Sequence, residues 1–253
     1  MIMLKHIPNT ITLGNLFCGC MGIAFVHSGN LKWAALMVLA AAVLDFFDGF
    51  TARLLKVKSE LGGQLDSLSD LVSFGVLPAY IAYSLFDLVA YDERWARIFH
   101  SGGTNSVGLA IFIFALAAAL RLAIFNVSSD QTTSFKGLPS PAAGIYLSSF
   151  ALIYFWGLSY SPIGADLLES YCTSNTVILA SALGLAALML LPIRLLALKF
   201  TSFGVKENIT RYLLIIFSIV LVLIFGFLAI QLIVLLYLIL SLIQNLISNE
   251  IQS

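Results

Sequence analysis

The sequence predicts an all-α integral membrane protein with about eight transmembrane helices. Hydrophobic residues make up 60% of its 253 residues, charged residues only 10%, and the mean hydropathy is +1.00. A soluble domain carries about 25% charged residues, so this composition is typical of a chain that crosses a membrane repeatedly. The formal net charge is zero. No excess of basic residues therefore indicates a nucleic-acid partner.

Apolar stretches long enough to cross a bilayer, about 20 residues each, recur along the whole chain. In order, we expect spans at 11–27, 31–55, 64–88, 106–126, 141–158, 175–195, 211–228 and 230–248. The last two are separated only at 229–231, so the alternative is seven spans with one bent or re-entrant element. No connection resembles a separate domain. We therefore expect one polytopic domain over 1–253, with a core over about 1–200 and C-terminal hydrophobic helices over about 211–248.

Lysine and arginine are distributed unevenly between the two predicted sides of the membrane. With the N-terminus inside, the outer side receives only Lys32, Arg94 and Arg97, and Arg121 lies near an inner helix end. The inner side receives Lys5, Arg53, Lys56, Lys58, Lys136, Arg194, Lys199, Lys206 and Arg211. Positive residues favour the cytoplasmic side. This predicts a cytoplasmic N-terminus and, for an even number of spans, a cytoplasmic C-terminus.

Half of the chain's aspartates lie in one run, DFFDGFTARLLKVKSELGGQLDSLSD. Asp45 and Asp48 are three residues apart and share one face of the second helix, while Asp66 and Asp70 are four apart and share one face of the third. A turn near Lys58–Glu60 would bring both pairs to a similar depth, roughly 10–20 Å from the inner helix ends. The spacing therefore predicts an acidic hairpin whose carboxylates converge.

Ionised carboxylates at hydrocarbon depth need a counter-charge, because each costs from ~3 to more than ~10 kcal/mol. Divalent cations are the obvious candidates, and oxygen ligands favour Mg²⁺ or Mn²⁺ over zinc. One alternative is ion pairing with Arg53 and Arg121, which supplies two positive charges for four negative ones. A second is an ion or proton pathway in a transporter, which would require polar residues in both leaflets, whereas they are concentrated on the inner side.

The fixed spacing of this run resembles, without a departure, the motif of the CDP-alcohol phosphatidyltransferase family. The motif reads Asp45-x2-Asp48-Gly49-x2-Ala52-Arg53-x8-Gly62-x3-Asp66-x3-Asp70. Family members displace CMP from a CDP-linked lipid with an alcohol and use two divalent metal ions. The resemblance implies that Asp45, Asp48, Asp66 and Asp70 hold two Mg²⁺ or Mn²⁺ ions. It also implies that Asp70, the last aspartate, is the catalytic base that takes the proton of the attacking hydroxyl.

The resemblance further implies a binding site for CDP-diacylglycerol on the inner half of the first three helices. Its candidate residues are Gly49, Ala52, Arg53, Ser59, Asn9, Thr12 and Asn15. The first three occupy motif positions that contact the CDP moiety in the family, and Ser59 lies in the connecting turn. The last three could reach the cytidine from the first helix. Helix capping after Pro8 is an alternative role for Asn9 and Thr12.

Three further stretches, HIPNTITLGNLFCGCMGIAF, ALRLAIFNV and FKGLPSPAAG, resemble the phosphatidylserine synthases of bacteria and archaea, a branch of this family. This implies transfer of the phosphatidyl group to the hydroxyl of L-serine, CMP release, an active site facing the cytoplasm, and a homodimer among the lipids of the cell membrane. The candidates for binding serine are Arg121, Asn126 and Lys136. Arg121 could instead be a snorkelling helix-end charge, Lys136 a loop charge and Asn126 a helix cap.

The identity of the acceptor alcohol has an alternative within the same family. Glycerol 3-phosphate or an inositol phosphate would bring a phosphate group and should require more basic residues near the inner pocket. Beyond Arg53, the sequence offers only Arg121 and Lys136 there. The sparse positive charge favours a small zwitterion such as serine.

Overall fold

The computed structural model describes residues 6–57, 59–90, 100–101, 104–127, 135–157, 162–196, 204 and 208–250. Its helices are α1 (His6–His27), α2 (Leu31–Leu54), α3 (Glu60–Asp70), α4 (Leu77–Ala90), α5 (Ile113–Val127), α6 (Ser140–Trp156), α7 (Ala165–Cys172), α8 (Asn175–Leu190), α9 (Ile209–Phe225) and α10 (Leu228–Glu250). A π-helical segment, Leu71–Val76, joins α3 to α4, and a 3-10 turn, Gly108–Phe112, precedes α5. The predicted all-α membrane fold is confirmed.

Four two-residue strands form the extended structure in the described ranges. They are β1 (His100–Ser101), β2 (Thr104–Asn105), β3 (Phe135–Lys136) and β4 (Arg194–Leu195). β1 pairs antiparallel with β2, and β3 pairs antiparallel with β4 with Lys136 opposite Arg194. The second pair ties the entry to α6 to the chain that follows α8.

Five helical stretches of the described chain are long and apolar enough to cross a membrane. They are His6–His27, Leu31–Leu54, Glu60–Leu88, Gly108–Val127 and Leu228–Asn245. α7 and α8 meet at 59° and could make a sixth, broken span. α6 and α9 have 17 residues each, about 26 Å of helix against ~30 Å of hydrocarbon. The multi-pass architecture is confirmed, whereas the count of eight spans is not.

Helices α1 and α6 approach the π-helical segment and α4 closely at glycine residues. A Cβ on Gly19 would lie 2.6 Å from Ser73 Oγ, and one on Gly22 would lie 2.3 Å from Leu77 Cδ2. A Cβ on Gly144 would lie 2.7 Å from the carbonyl oxygen of Phe74. These contacts seat α1 and α6 directly against the π-helical segment and the start of α4. The absence of a side chain allows this approach, as is common between membrane helices.

The largest fully buried side chains lie where α4, α5, α6 and the π-helical segment meet. Phe74, Phe114 and Phe150 are completely buried there. Apolar side chains on the outer faces remain exposed, among them Phe17 on α1 and Leu223 on α9, as expected for surfaces that face lipid. The core thus fixes the helix that directly follows Asp70.

Candidate active site

The aspartates of the acidic run converge as their spacing predicts. Asp45 and Asp48 of α2 and Asp66 of α3 each place a carboxylate oxygen within 4.8 Å of the others. Asp70, at the end of α3, interacts electrostatically with all three. Three carboxylates therefore form a compact cluster, and the fourth lies beside it.

This acidic cluster fits a metal ion. Its donors are all carboxylate oxygens, the ligands that hard divalent cations prefer. Asp66 Oδ1 is buried and has no hydrogen-bond partner among the described residues. Among the described residues, five carboxylates, those of the four aspartates and Glu60, line the surrounding cavity, against two guanidinium groups, Arg53 and Arg121. The remaining negative charge calls for bound cations.

Two polar residues of α1 hold the carboxylates in place. The Thr12 hydroxyl donates to Asp48 Oδ2 at 2.7 Å, and Asn15 Nδ2 donates to Asp70 Oδ1 at 3.3 Å. Two serines fix α1 in return: Ser69 Oγ donates to the Thr12 carbonyl at 3.2 Å and Ser73 Oγ to the Asn15 carbonyl at 3.0 Å. The polar face of α1 therefore positions the acidic cluster. Contacts of Thr12 and Asn15 with cytidine stay a prediction.

The cluster opens into a cavity of about 1160 Å³ between α2, α3, α5 and the start of α6. Predicted site residues lining it are Asp45, Asp48, Gly49, Arg53, Ser59, Asp66, Asp70, Arg121 and Asn126. A smaller cavity of about 190 Å³ lies on the α1 side and adds Asn9, Thr12 and Ala52. Asp48, Gly49, Ser59 and Asp66 line both cavities. The two cavities thus flank the same motif residues.

Among the predicted residues whose side chains the structure describes, Asn15 lines neither cavity. Asn15 is completely buried behind Asp70. Lys136 belongs to β3, but its side chain lies outside the described part of the structure. The helix-capping alternative for Asn9 and Thr12 is wrong, because α1 already contains His6 and both residues lie within the helix.

Arg53 and Ser59 frame the entrance to the motif. The Arg53 guanidinium folds back over Gly49, where an added Cβ would lie 3.3 Å from Nη1. Ser59 caps α3, since its Oγ accepts a hydrogen bond from the Gly62 amide at 3.0 Å. A Cβ on Gly62 would lie 2.9 Å from that oxygen and 3.1 Å from Asn9 Oδ1. The glycines of the motif therefore permit close packing at the start of α3.

Arg121 reaches the same cavity from α5. Its Nη1 donates to Ser140 Oγ at 3.1 Å, and it interacts electrostatically with Asp70. Its Nε is buried without a partner in the described ranges. Further along α5, Asn126 Nδ2 donates to Ser67 Oγ at 2.9 Å instead of capping the helix. The guanidinium is thus fixed in the same cavity as the four aspartates.

Sequence reasoning missed four polar residues that line the larger cavity. They are Glu60, Gln64, Ser67 and Ser140. The first three lie within the acidic run at spacings of four and three residues, so they share one face of α3, next to the face of the aspartates, and this spacing could have revealed them. Ser140 lies in the FKGLPSPAAG stretch, but its contact with Arg121 depends on how α5 and α6 pack.

Residues 5–247 match the profile of the CDP-alcohol phosphatidyltransferase family. The chain belongs to this family. The recognition made from the aspartate motif is confirmed, and membership favours the transferase interpretation over the transporter alternative.

Individual curated proteins with similar sequences allow a closer comparison within the family. A CDP-diacylglycerol–serine O-phosphatidyltransferase of Bacillus subtilis (strain 168) is 34% identical over 151 residues, which are 60% of this chain and 78% of that protein. The protein of the same name in Helicobacter pylori (strain ATCC 700392 / 26695) is 36% identical over 141 residues, 54% of each chain. An archaetidylserine synthase of Methanothermobacter thermautotrophicus is 35% identical over 153 residues, 59% of each chain. The alignments with the last two thus span little more than half of those proteins.

Proposed function

We propose that this protein transfers the phosphatidyl group of CDP-diacylglycerol to the hydroxyl of L-serine and releases CMP, as a CDP-diacylglycerol–serine O-phosphatidyltransferase. The observation that carries the proposal is one cavity lined both by the complete aspartate motif and by a fixed guanidinium, Arg121. The names of the curated relatives support serine as the acceptor. The reaction would take place in the cell membrane at an active site facing the cytoplasm, in one polytopic domain.

Asp45, Asp48 and Asp66, with Asp70, would hold two divalent metal ions, Mg²⁺ or Mn²⁺. Bound there, the ions would neutralise the pyrophosphate of CDP-diacylglycerol and stabilise the leaving phosphate of CMP. The oxygen-only donor set and the unpartnered Asp66 Oδ1 support this assignment. Thr12 would keep Asp48 in its ligand orientation through the hydrogen bond at 2.7 Å.

Asp70 is the proposed base. It would take the proton from the serine hydroxyl as that oxygen attacks the lipid-linked phosphorus, and the bond from phosphorus to the CMP oxygen would break. Asn15 donates a hydrogen bond to Asp70 Oδ1 and so fixes the orientation of this carboxylate. An in-line displacement of this kind requires no covalent enzyme intermediate.

The CDP moiety would lie across the two cavities that share Gly49 and Ser59. Arg53 is the proposed phosphate partner, and Gly49 leaves room for its guanidinium beside α2. Ala52, Asn9 and Thr12 would contact the nucleoside in the smaller cavity. Asn15, which is buried, would act from behind the aspartates.

Serine would bind in the larger cavity between Asp70 and α5. Arg121 is the proposed partner of the serine carboxylate, because a guanidinium can bind it with two hydrogen bonds. The amide oxygen of Asn126 would accept a hydrogen bond from the serine ammonium group. Lys136 is the alternative partner of the serine carboxylate. We further propose a homodimer embedded among membrane lipids, as the family resemblance implies.

Product analysis with an alcohol panel tests the proposed function. Purified protein is supplied with CDP-diacylglycerol, Mg²⁺ or Mn²⁺, and one alcohol at a time: L-serine, glycerol 3-phosphate or an inositol phosphate. We expect CMP and phosphatidylserine in equal amounts with serine and little product with the others. A product with a phosphorylated alcohol but not with serine would contradict the serine assignment and leave the reaction class intact.

A further inference from the structure

We propose that the last helix, α10, positions the acceptor-binding arginine through a pair of hydroxyl groups, Tyr237 and Ser241, which we call the Leu196 clamp. The inference rests on the proposed function, because it assigns Arg121 to the acceptor alcohol. It gives the C-terminal helices, which sequence reasoning distinguished only by their hydrophobicity, a role in acceptor binding.

The clamp holds both backbone polar groups of Leu196. The Tyr237 hydroxyl donates to the Leu196 carbonyl oxygen at 3.1 Å, and the Leu196 amide donates to Ser241 Oγ at 3.1 Å. Ser241 Oγ in turn donates to the Tyr237 carbonyl at 2.7 Å, one helical turn away. Ser241 is 1% exposed and Leu196 8% exposed. Water is excluded here, so losing a clamp hydroxyl leaves a buried backbone group unpaired.

Leu196 directly follows β4, and β4 connects the position of Leu196 to the entry of α6. β4 pairs with β3, so the backbone at Phe135–Lys136 is fixed relative to Leu196. The next residue, Gly137, donates its amide to the Ile193 carbonyl at 2.9 Å. Gly137 has φ +77°, and a Cβ there would lie 2.4 Å from the Met189 carbonyl oxygen. The segment between β3 and α6 is therefore held in one conformation.

Ser140 begins α6 immediately after this segment and holds Arg121. The bond from Arg121 Nη1 to Ser140 Oγ, 3.1 Å long, is the contact through which the entry of α6 orients the guanidinium. The clamp thus fixes the position of Arg121 through a series of contacts: Leu196, the β3–β4 pair and Ser140. The aspartates and Arg53 come from α2 and α3, outside this series of contacts.

The inference predicts a selective kinetic effect in the full-length protein. Tyr237→Phe and Ser241→Ala should each raise the KM for the acceptor alcohol roughly 3- to 10-fold, the effect expected for loss of one buried hydrogen bond. The KM for CDP-diacylglycerol should change less than about twofold. Ser241→Thr retains the hydroxyl and should restore the acceptor KM. Both constants are measured by CMP release from protein that elutes as a single species in size-exclusion chromatography.

Two matched variants separate positioning from general packing. Tyr171→Phe removes a hydroxyl of α7 that donates to Gln231 Oε1 at 2.7 Å. Gln231 lies on α10, like the clamp residues, but this hydrogen bond does not involve Leu196. Ser149→Ala removes a buried hydroxyl that bonds only within α6 in the described contacts, to the Tyr146 carbonyl. Both should leave the acceptor KM unchanged. In the Arg121→Ala background, Tyr237→Phe should add no further increase, because both changes act on the same group.

Three results would overturn the clamp. They are an unchanged acceptor KM in Ser241→Ala, an equal rise in both KM values, or the same rise in Tyr171→Phe. If Tyr237→Phe does not fold, Ser241→Ala and Ser241→Thr alone decide. Transfer by the wild-type protein to another alcohol would refute the serine assignment but not the clamp, which is then tested on the KM for that alcohol.

Discussion

At the scale of single residues, the orientation of Asp70 depends on one amide. Asn15 is completely buried and donates to Asp70 Oδ1. Its own Oδ1 has no partner among the described residues. A buried amide that donates a hydrogen bond to a carboxylate fixes the rotamer of that carboxylate. This orientation matters for proton transfer, because the base must lie within hydrogen-bonding distance of the hydroxyl.

Asn15→Ala should therefore lower kcat about tenfold and change both KM values little, since the hydrogen bond that orients the base is lost. Steady-state CMP release measures this split. Thr10→Ala, on the exposed side of the same helix, is the matched control, because its hydroxyl bonds only the His6 carbonyl in the described contacts. An Asn15→Ala enzyme with normal kcat would show that Asp70 needs no such support.

The aspartates themselves should separate into base and metal ligands. Asp70→Asn keeps the shape of the side chain but loses basicity, so we expect CDP-diacylglycerol binding to persist while transfer stops. Asp45→Asn should weaken metal and nucleotide binding together, because it removes a ligand charge from the acidic cluster. Binding and single-turnover transfer are measured on the same preparations. Transfer at the wild-type rate by Asp70→Asn would assign the base to another group.

The aspartates could be predicted from the sequence, whereas their partners could not. Spacing of three and four residues places Asp45 with Asp48, and Asp66 with Asp70, whatever the rest of the chain does. The contacts of Thr12 and Asn15 depend on how α1 rotates against α3. That rotation is set by Gly19 and Gly22 against Ser73 and Leu77, a packing detail that no local pattern contains.

At the scale of secondary structure elements, the π-helical segment Leu71–Val76 determines how α3 meets the core. It starts directly after Asp70, and π-helical turns are frequent at functional sites because they shift the helix register. The sequence predicted one continuous span here, and the structure agrees over Glu60–Leu88. The register shift within the span has no compositional signal and could not be predicted.

Gly144 should be the most sensitive glycine next to this segment. A Cβ there would lie 2.7 Å from the carbonyl oxygen and 2.9 Å from the Cα of Phe74, both backbone atoms that cannot yield easily. We expect Gly144→Ala to destabilise the protein by about 1–3 kcal/mol through overpacking. Gly184→Ala on α8 is the control, since an added Cβ meets nothing within 4 Å. Thermal unfolding in detergent compares them, and equal midpoints would contradict the close packing.

At the scale of the whole molecule, the membrane architecture could be predicted but the number of spans could not. The sequence put the ambiguous break at 229–231, whereas α9 and α10 are separated at Gly226, which has φ +54°. The bend of 59° lies instead between α7 and α8, around Thr173 and Ser174. α7 carries Asp166 and Glu169 and lies between the predicted spans 141–158 and 175–195, so the sequence predicted a connection where the structure has a helix. Hydropathy measures burial in lipid, not where a helix changes direction.

The arrangement of the whole molecule brings the acidic motif of α2 and α3 and Arg121 of α5 into one cavity. The central claim is that this cavity performs metal-dependent transfer to serine. Its most direct test is incorporation of labelled L-serine into lipid by the purified protein with CDP-diacylglycerol, before and after chelation. We predict labelled lipid with equimolar CMP, loss of both in excess chelator, and recovery on adding Mg²⁺ or Mn²⁺. Undiminished labelling in excess chelator, or CMP release without labelled lipid, would contradict the claim.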